Sequence, residues 1–371
     1  MRAAAPSGPL PPPVARRLGA LGWARAHLFS GWASGLATLG VIAGVAWLAP
    51  DVLRYLVFDA VWRAPDGAAC RAPGAGACWA FIAEKTPFFV YGSYPADQRW
   101  RVDLTIAIGA ALVFRSLWRG APRKGLAALL LLVVYPPVAF ALLYGAPVAG
   151  LPVVPTSLWG GVFVSLLVAA VGIVFSLPLG VLLALGRRSR LPVVRMLSVG
   201  FIEFVRGVPL ISVLFMANVM LPLFVPEAWS PDRLLRPLVG VALFASAYMA
   251  EVVRAGLQAL PRGQGEAAQA LGLSWWSAQR HVVLPQALTL VIPGIVNTFI
   301  GLFKDTTLVA AVGALDFLRA VDVARQDPAW SGPTIALTGY VFAGLFYFVA
   351  CFAMSRYSLA VERDLSRARA R

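Results

Sequence analysis

The chemistry this sequence offers lies in ionisable and amide side chains set inside long apolar runs. Glu203 and Arg206 lie three residues apart in one run, and Glu251 and Arg254 three apart in another. Asn297, Lys304 and Asp305 punctuate a third. A charge inside lipid costs a few kcal/mol, so such groups turn toward a partner, the bundle interior or an aqueous path. A three-residue spacing puts each Glu/Arg pair on one helix face. Two readings stay open: self-neutralising pairs that join helices, or a polar track for a solute carrying both signs. Glu203, Glu251 and Arg254 fit structural ion pairs. Arg206, Asn297, Lys304, Asp305 and Thr306 are the candidates for a track, because a zwitterion offers partners to Lys304 and Asp305 alike. Bond-making chemistry is poorly provided for. His27, His281, Cys70, Cys78 and Cys351 are too scattered for a zinc or haem site or a catalytic cluster, so no metal is expected. No G-x-x-x-x-G-K-[ST] phosphate cradle occurs, so any ATP must be held elsewhere.

The elements that position these groups follow from composition. The 371 residues are 59% hydrophobic and 13% charged, with 32 Lys and Arg against 17 Asp and Glu. A soluble domain is about 45–50% apolar and about 25% charged. Together with a mean hydropathy of +0.76, this excludes an ordinary soluble enzyme and a nucleic-acid-binding tail protein. The lipid bilayer is the expected solvent. A crossing helix needs roughly 20 largely apolar residues. Eight stretches qualify as candidates: 32–49, 102–118, 126–144, 158–185, 197–221, 237–257, 286–303 and 334–354. The second is the most charged, and the third carries Pro136-Pro137.

Basic residues orient the bundle. With both termini cytoplasmic, most of the basic residues fall on the inner rim. The first inner segment holds Arg2, Arg16, Arg17 and Arg25, and the next Arg115, Arg119, Arg123 and Lys124. Arg187, Arg188, Arg190 and Arg195 follow, then Arg254, Arg262 and Arg280, with Arg356, Arg363, Arg367, Arg369 and Arg371 in the tail. The net +15 then reads mainly as topology. No cleavable leader is expected, and the first span reads as a retained anchor. This orientation places Cys70 and Cys78 outside in the flexible stretch CRAPGAGAC, where an oxidising periplasm favours a local disulfide over two free thiols. Cys351 sits within the last span as small apolar filler.

One inner loop, residues 258–284, is a structured interruption. Pro261, Gly263 and Gly265 give an irregular approach, EAAQAL is a short run of helix formers, and Gly272 supplies a left-handed stop. Glu266 falls in the first turn, where the exposed amides favour a carboxylate. Ser274 can cap a second helix through Trp275 and Trp276 toward Pro285. Ala267, Ala268 and Ala270 keep the first helix slim enough to enter a groove on a partner. The alternative is an amphipathic helix on the membrane surface with Trp275 and Trp276 as anchors.

Glu266-Ala267-Ala268, three residues, Gly272, nine residues, then Val282-x-Leu284-Pro285 resembles the EAA loop of ABC-importer permeases. Val282 stands where that family usually has Ile. Arg206-Gly207-Val208-Pro209 resembles the R-G-T-P of polar amino-acid permeases, with Val208 for Thr, and Lys304-Asp305-Thr306-Thr307-Leu308 resembles their K-D-T-S-L. Tyr248-x-x-Glu251-x-x-Arg254-x-Gly256 and Gly263-Gln264-x-Glu266 also match. The resemblance implies an all-α integral membrane protein with a type I ABC-importer core of five helices over residues 156–360. Residues 1–155 would be an N-terminal extension: a Pro-rich cytoplasmic segment, three spans and the periplasmic loop 50–101. A basic tail at 361–371 would follow the core. Asp59-Ala60-Val61-Trp62, the Cys70/Cys78 loop and Arg99-Trp100-Arg101-Val102-Asp103 are similar to one subgroup, the second permease subunit of proteobacterial general L-amino acid ABC importers.

That resemblance implies a non-catalytic subunit of the bacterial inner membrane that passes L-amino acids from periplasm to cytoplasm. It implies two copies of an ATP-binding subunit carrying the ATP and Mg, a second homologous permease and a periplasmic amino-acid-binding protein. Glu266, Ala267, Ala268, Gly272 and Leu273 would form the ATPase-coupling helix. Two other classes compete. A membrane-bound group transferase would want His, Asp and Glu clustered at one depth. A stand-alone carrier would need no docking helix and shows no evident inverted repeat here.

Overall fold

Backbone groups in lipid have no water to bond, so a spanning segment must close its hydrogen bonds internally. The apolar runs are accordingly helices. The computed structural model describes residues 19–118, 120–226 and 229–369. The Pro-rich segment with Arg2, Arg16 and Arg17, and also Arg119 and Arg371, lie outside the described residues. The helices are α1 (Ala20–His27), α2 (Trp32–Leu53), α3 (Trp79–Tyr91), α4 (Arg99–Leu117), α5 (Lys124–Leu129), α6 (Tyr135–Tyr144), α7 (Val162–Arg187), α8 (Pro192–Gly207) and α9 (Leu210–Phe215). They continue with α10 (Leu221–Phe224), α11 (Leu235–Ala259), α12 (Gly263–Ala270), α13 (Trp275–Ala278), α14 (Leu284–Leu290), α15 (Ile292–Asp305), α16 (Phe317–Ala324) and α17 (Ile335–Arg369). Two short parallel strands, β1 (Gly160–Gly161) and β2 (Leu315–Asp316), pair Gly160 with Leu315.

Among the described residues six helical stretches are long and apolar enough to cross a bilayer: Trp32–Phe58, Lys124–Tyr144, Val162–Arg187, Leu235–Ala259, Ile292–Val312 and Ile335–Leu365. A bent pair, α8 followed by Leu210–Phe224 at an angle of 106°, is long and apolar enough only when the two parts are taken together. The unbroken span expected over 197–221 is therefore interrupted at Val208-Pro209. Proline lacks an N–H and drives its predecessor out of the helical region. Val208 is accordingly extended, with ψ 136°.

The second expected stretch, 102–118, is covered by α4, but its first turns carry Arg99, Arg101 and Asp103. Arg101 is fully buried. Its Nε donates to Leu142 O and its Nη1 to Pro152 O at 3.0 Å, while the Tyr94 hydroxyl donates to Leu143 O at 2.7 Å. A cation thus sits on the carbonyl end of α6, where the helix dipole favours it. The charge that makes α4 a poor lipid span is spent on packing. Two further boundaries differ from expectation. The run expected at 286–303 bends at Val291 and then continues as a tight turn over Thr306–Val312. The expected tail, as far as it is described, prolongs α17.

Packing divides the described chain into two compact units, residues 19–60 with 73–77, and residues 61–72 with 78–369. In the first, Gly76 N and Ala77 N return to the carbonyls of Asp59 and Tyr55. The second unit holds everything from α3 onward, so no packing break falls near residue 155. Its centre is the α7–α11 pair. Apolar helices gain nothing from leaving lipid for one another, so close approach depends on small residues. Gly180 is one: a Cβ there would lie 2.7 Å from the Met249 side chain. Ala242, Ala245, Ser246 and Ala250 supply the facing small side chains on α11.

Cys70 and Cys78 are joined in a disulfide, with Cα atoms 5.6 Å apart. The segment is tied to the start of α17, since Cys78 N donates to Thr338 Oγ1 and Arg71 Nη1 to Ser331 O. Below it Phe81 and Phe89 pack against Trp330, Phe317 and Phe342. Cys351 is a free thiol in α17.

Closing a loop this short should stabilise the fold by about 2–3 kcal/mol. Cys70→Ser with Cys78→Ser should lower the unfolding midpoint in detergent, and reductant should then have no further effect; an unchanged midpoint refutes this. A second expectation concerns Asp316, which is fully buried and caps α16 by accepting from Leu318 N and Arg319 N. Burial pushes its carboxyl up to about 6 against the downward pull of those two amides. The native state then holds the proton more tightly than the unfolded chain, where an aspartate titrates near about 3.9. Stability contributed by this group should rise as pH falls through about 6 and level off near about 4. Asp316→Asn should remove that rise, and parallel stability curves for the two proteins would refute it.

Candidate functional site

The structured interruption between α11 and α14 is built as a rigid corner. Leu260 leaves the helix in an extended conformation and Gln264 N turns back to Pro261 O, which starts α12. At its end Gly272 N donates to Gln269 O and Leu273 N to Ala268 O, with Gly272 in the left-handed region at φ +79°. A Cβ at Gly272 would meet nothing within 4 Å, so backbone conformation alone demands glycine within this chain. Ser274 Oγ accepts from Ser277 N and caps α13, which runs through a wide turn at Gln279–Val283 into α14. The corner is anchored on both sides. Gln286 Nε2 donates to Gln264 Oε1, and a Cβ on Gly256 would lie 2.5 Å from Ala287 O. Ala268 and Ala278 face inward, whereas Glu266, Ala267, Gly272, Leu273, Trp275 and Trp276 are exposed, and Leu271 is 83% exposed.

A second constellation gathers at the ends of α7 and α8 and on α11. Glu251 accepts from Arg254 Nη2 at 2.7 Å and Nε at 2.9 Å, and from Arg187 Nη1 at 3.1 Å. Arg206 Nη1 lies 3.6 Å from the same carboxylate, with its guanidinium 5.6 Å from the Tyr248 ring centre. The pairing expected within α8 is replaced: Glu203 bonds Arg187 at 2.8 Å, and Arg206 turns to Glu251. Helix packing explains the exchange, because α8 lies against α7 and α11, which bring competing charges to both residues. Arg206 also stands in the last turn of α8, at the break, rather than deep within a span. Three guanidiniums share two carboxylates, which leaves one positive charge, and Arg206 is the most loosely held.

The α15 candidates are arranged differently. Lys304 is exposed and Asp305 half-buried at the end of that helix, and among the described residues neither forms an ion pair or a side-chain cap. Asn297 is exposed and makes no side-chain hydrogen bond among the described residues. Thr306 is fully buried and donates to Phe303 O, so it is turned away from any open polar track. No bond joins Arg206 to Asn297, Lys304 or Asp305 among the described residues. Arg187 is the participant that sequence reasoning overlooked, because it reads as one more member of an inner-rim basic cluster.

Known proteins share this arrangement of sequence. Residues 176–367 match the family described as the binding-protein-dependent transport system inner membrane component. The chain is 51% identical over 350 residues to the inner membrane amino-acid ABC transporter permease protein YhdY of Escherichia coli K12, covering 94% of each. It is 40% identical to the glutamate/glutamine/aspartate/asparagine transport system permease protein BztC of Rhodobacter capsulatus, over 97% of this chain and 96% of that one. The probable amino-acid permease protein YxeN of Bacillus subtilis aligns at 32% identity with 55% of this chain and 89% of its own. With matches of this extent the chain belongs to the binding-protein-dependent inner membrane components, as a multi-pass, non-catalytic amino-acid ABC transporter permease subunit.

Proposed function

We propose that this permease carries L-amino acids of broad side-chain type from periplasm to cytoplasm, driven by ATP hydrolysis on a separate subunit that docks on the α12–α13 corner. The observation that carries the reading is the corner itself: exposed on one side, capped and hydrogen-bonded on the other, and continuous with α11 and α14. A strut of this kind transmits displacement, where a flexible loop would absorb it. A helix laid on lipid would need a wide apolar face. The outer side of α12 instead offers Glu266, Ala267, Gln269 and Ala270, which suits a protein cleft.

Membership of the family implies an ATP-binding subunit and a substrate-binding protein. The further reading includes two ATPase copies, ATP and Mg held there, and a second homologous permease. Both termini are cytoplasmic in this reading, because that orientation puts most of the basic residues inside. Arg206, Asn297, Lys304 and Asp305 remain the pathway candidates of this chain. The name of BztC mentions four amino acids with acidic or amide side chains, which supports a range of substrates over a single one.

Gly272→Asp and Glu266→Lys should each lower ATP-driven uptake by about tenfold or more while permease levels in the membrane stay normal. Co-purification of the ATPase should fall in parallel; unchanged uptake and unchanged co-purification would sink the docking assignment. For the charge cluster, Glu251→Gln should leave three guanidiniums sharing one carboxylate. The expected result is ATP hydrolysis that no longer depends on the binding protein, together with reduced uptake. Hydrolysis as tightly dependent as in the parent would refute a gating part for Glu251. Uptake that continues without any ATPase would favour the stand-alone carrier instead.

A further inference from the structure

Residues 61–72 and 78–92 lie outside the stretch that matches the family, 176–367, yet they are packed into parts of it without slack. Phe81, Phe89 and the two disulfide cysteines share one buried cluster with Phe317, Trp330 and Ile335. Polar bonds tie the same parts together along their length. Gly67 N donates to Ala329 O at 3.1 Å, and Thr334 Oγ1 donates to Cys70 O at 3.3 Å. Lys85 Nζ pairs with Asp327 Oδ2 at 2.5 Å. These bonds stand alongside those of Arg71 to Ser331 O and Cys78 N to Thr338.

The backbone approaches are closer still, and they fall on both sides of α3. A Cβ on Gly67 would stand 2.5 Å from Ala329 O and 2.8 Å from Trp330 Cα. Beyond the other end of α3, a Cβ on Gly92 would stand 2.5 Å from Gly160 Cα, and one on Gly161 would collide with Phe89 O. A helix of 13 residues is about 20 Å long, so the clamps are well separated. A change of rotamer cannot relieve backbone lying against backbone. Densely packed contacts of this kind hold one arrangement rather than deform continuously. The clamped parts are also joined to one another. Strand β1, which leads into α7, pairs with β2, which leads into α16. Phe317 N of α16 donates to Ser165 Oγ of α7 at 2.9 Å.

We propose that residues 61–72 and 78–92 form a brace that holds the starts of α7, α16 and α17 as one rigid body throughout the transport cycle. Opening of the solute path at this end of the bundle then takes place at other boundaries. The Arg206–Glu251 contact at 3.6 Å is the opposite kind of joint, made by partly exposed side chains that can part and pair again. The brace rests on the proposed transport of amino acids, and it gives residues outside the family's shared stretch a part in that movement.

The test bridges the brace to the turn before α17. Lys85→Cys and Asp327→Cys are combined with Cys351→Ser, so the other two cysteines are those of the buried disulfide. The purified complex is treated with a short bismaleimide, and intact mass reports the bridged fraction. Bridging should be equally complete in nucleotide-free complex and in complex trapped with ATP and vanadate. In proteoliposomes with binding protein and ATP, the bridged complex should take up radiolabelled L-glutamine within about twofold of one treated with N-ethylmaleimide. A bridge that forms in one nucleotide state only, or that lowers uptake about tenfold or more, overturns the brace. Adding Gly67→Leu, which wedges the segment away from Ala329, should make bridging incomplete or dependent on nucleotide state, and unchanged bridging overturns the brace as well. Where Gly67→Leu fails to assemble, the two readouts without it decide the matter. Failure of the parent complex to take up any amino acid would instead overturn the proposed transport function, while equal bridging in both nucleotide states would still support the brace.

Discussion

A carboxylate inside a membrane protein must find its counter-charges in the chain, and Glu251 finds three. Arg254 comes from its own helix, Arg187 from the end of α7 and Arg206 from the end of α8. These are the helices around which the second compact unit is built, and the parts of them that meet here are fixed relative to one another by this one residue. Each bond is of ordinary strength, and because the group is only partly buried the pairs are screened. Their value is geometric. Removing the acceptor would leave three like charges facing one another with only solvent to screen them, which loosens the joint between the three helices.

The same logic governs the other polar groups in apolar surroundings. Arg101 lies on the carbonyl end of α6, and Asp316 caps α16, so each answers a helix terminus whose backbone groups would otherwise be unmet. Small residues then let the helices approach closely enough for those bonds to form, as Gly180 does for α7 and α11. Neither device is visible as hydrophobicity. Both are consequences of lipid as solvent, which rewards internal satisfaction of polar groups and leaves apolar packing to fit.

Much of this was legible in the sequence, for reasons that can be named. Long apolar runs have one backbone solution in a bilayer, so six of the expected spans correspond to helices and a seventh to a broken pair. Gly272, Ser274 and the alanines of EAAQAL encode their own local structure, so the corner between α11 and α14 could be drawn before any coordinates. What failed was everything that depends on two elements meeting. Glu203 and Arg206 satisfy the helical spacing rule, yet α7 brings Arg187 between them. Pro209 was visible as a proline, but its 106° consequence required knowing that no neighbour straightens the chain. Asn218 was one polar residue in an apolar stretch, and only the fold shows that half of its amide is unmet.

Helix α11 draws these parts into one mechanical argument. Its residues just before and within the first turn bind the neighbouring segments, Asp232 accepting from Thr156 and Arg236 donating to Asn218 O. Glu251 lies further along and gathers α7 and α8, and Ala259 ends the helix where α12 begins. A helix of 25 residues is a stiff rod about 37 Å long. Under the proposed docking, a push on the exposed corner has two outlets. It can move α11 against α7, which tight packing at Gly180 resists, or it can shift α8 by exchanging the loosest bond in the cluster, that of Arg206 at 3.6 Å. The second is the softer motion, and the break at Val208-Pro209 allows α8 to move without carrying α9 and α10 with it. The proline motif and the charge cluster thus lie side by side at the end of α8: a bend of 106° next to the 3.6 Å contact of Arg206 with Glu251.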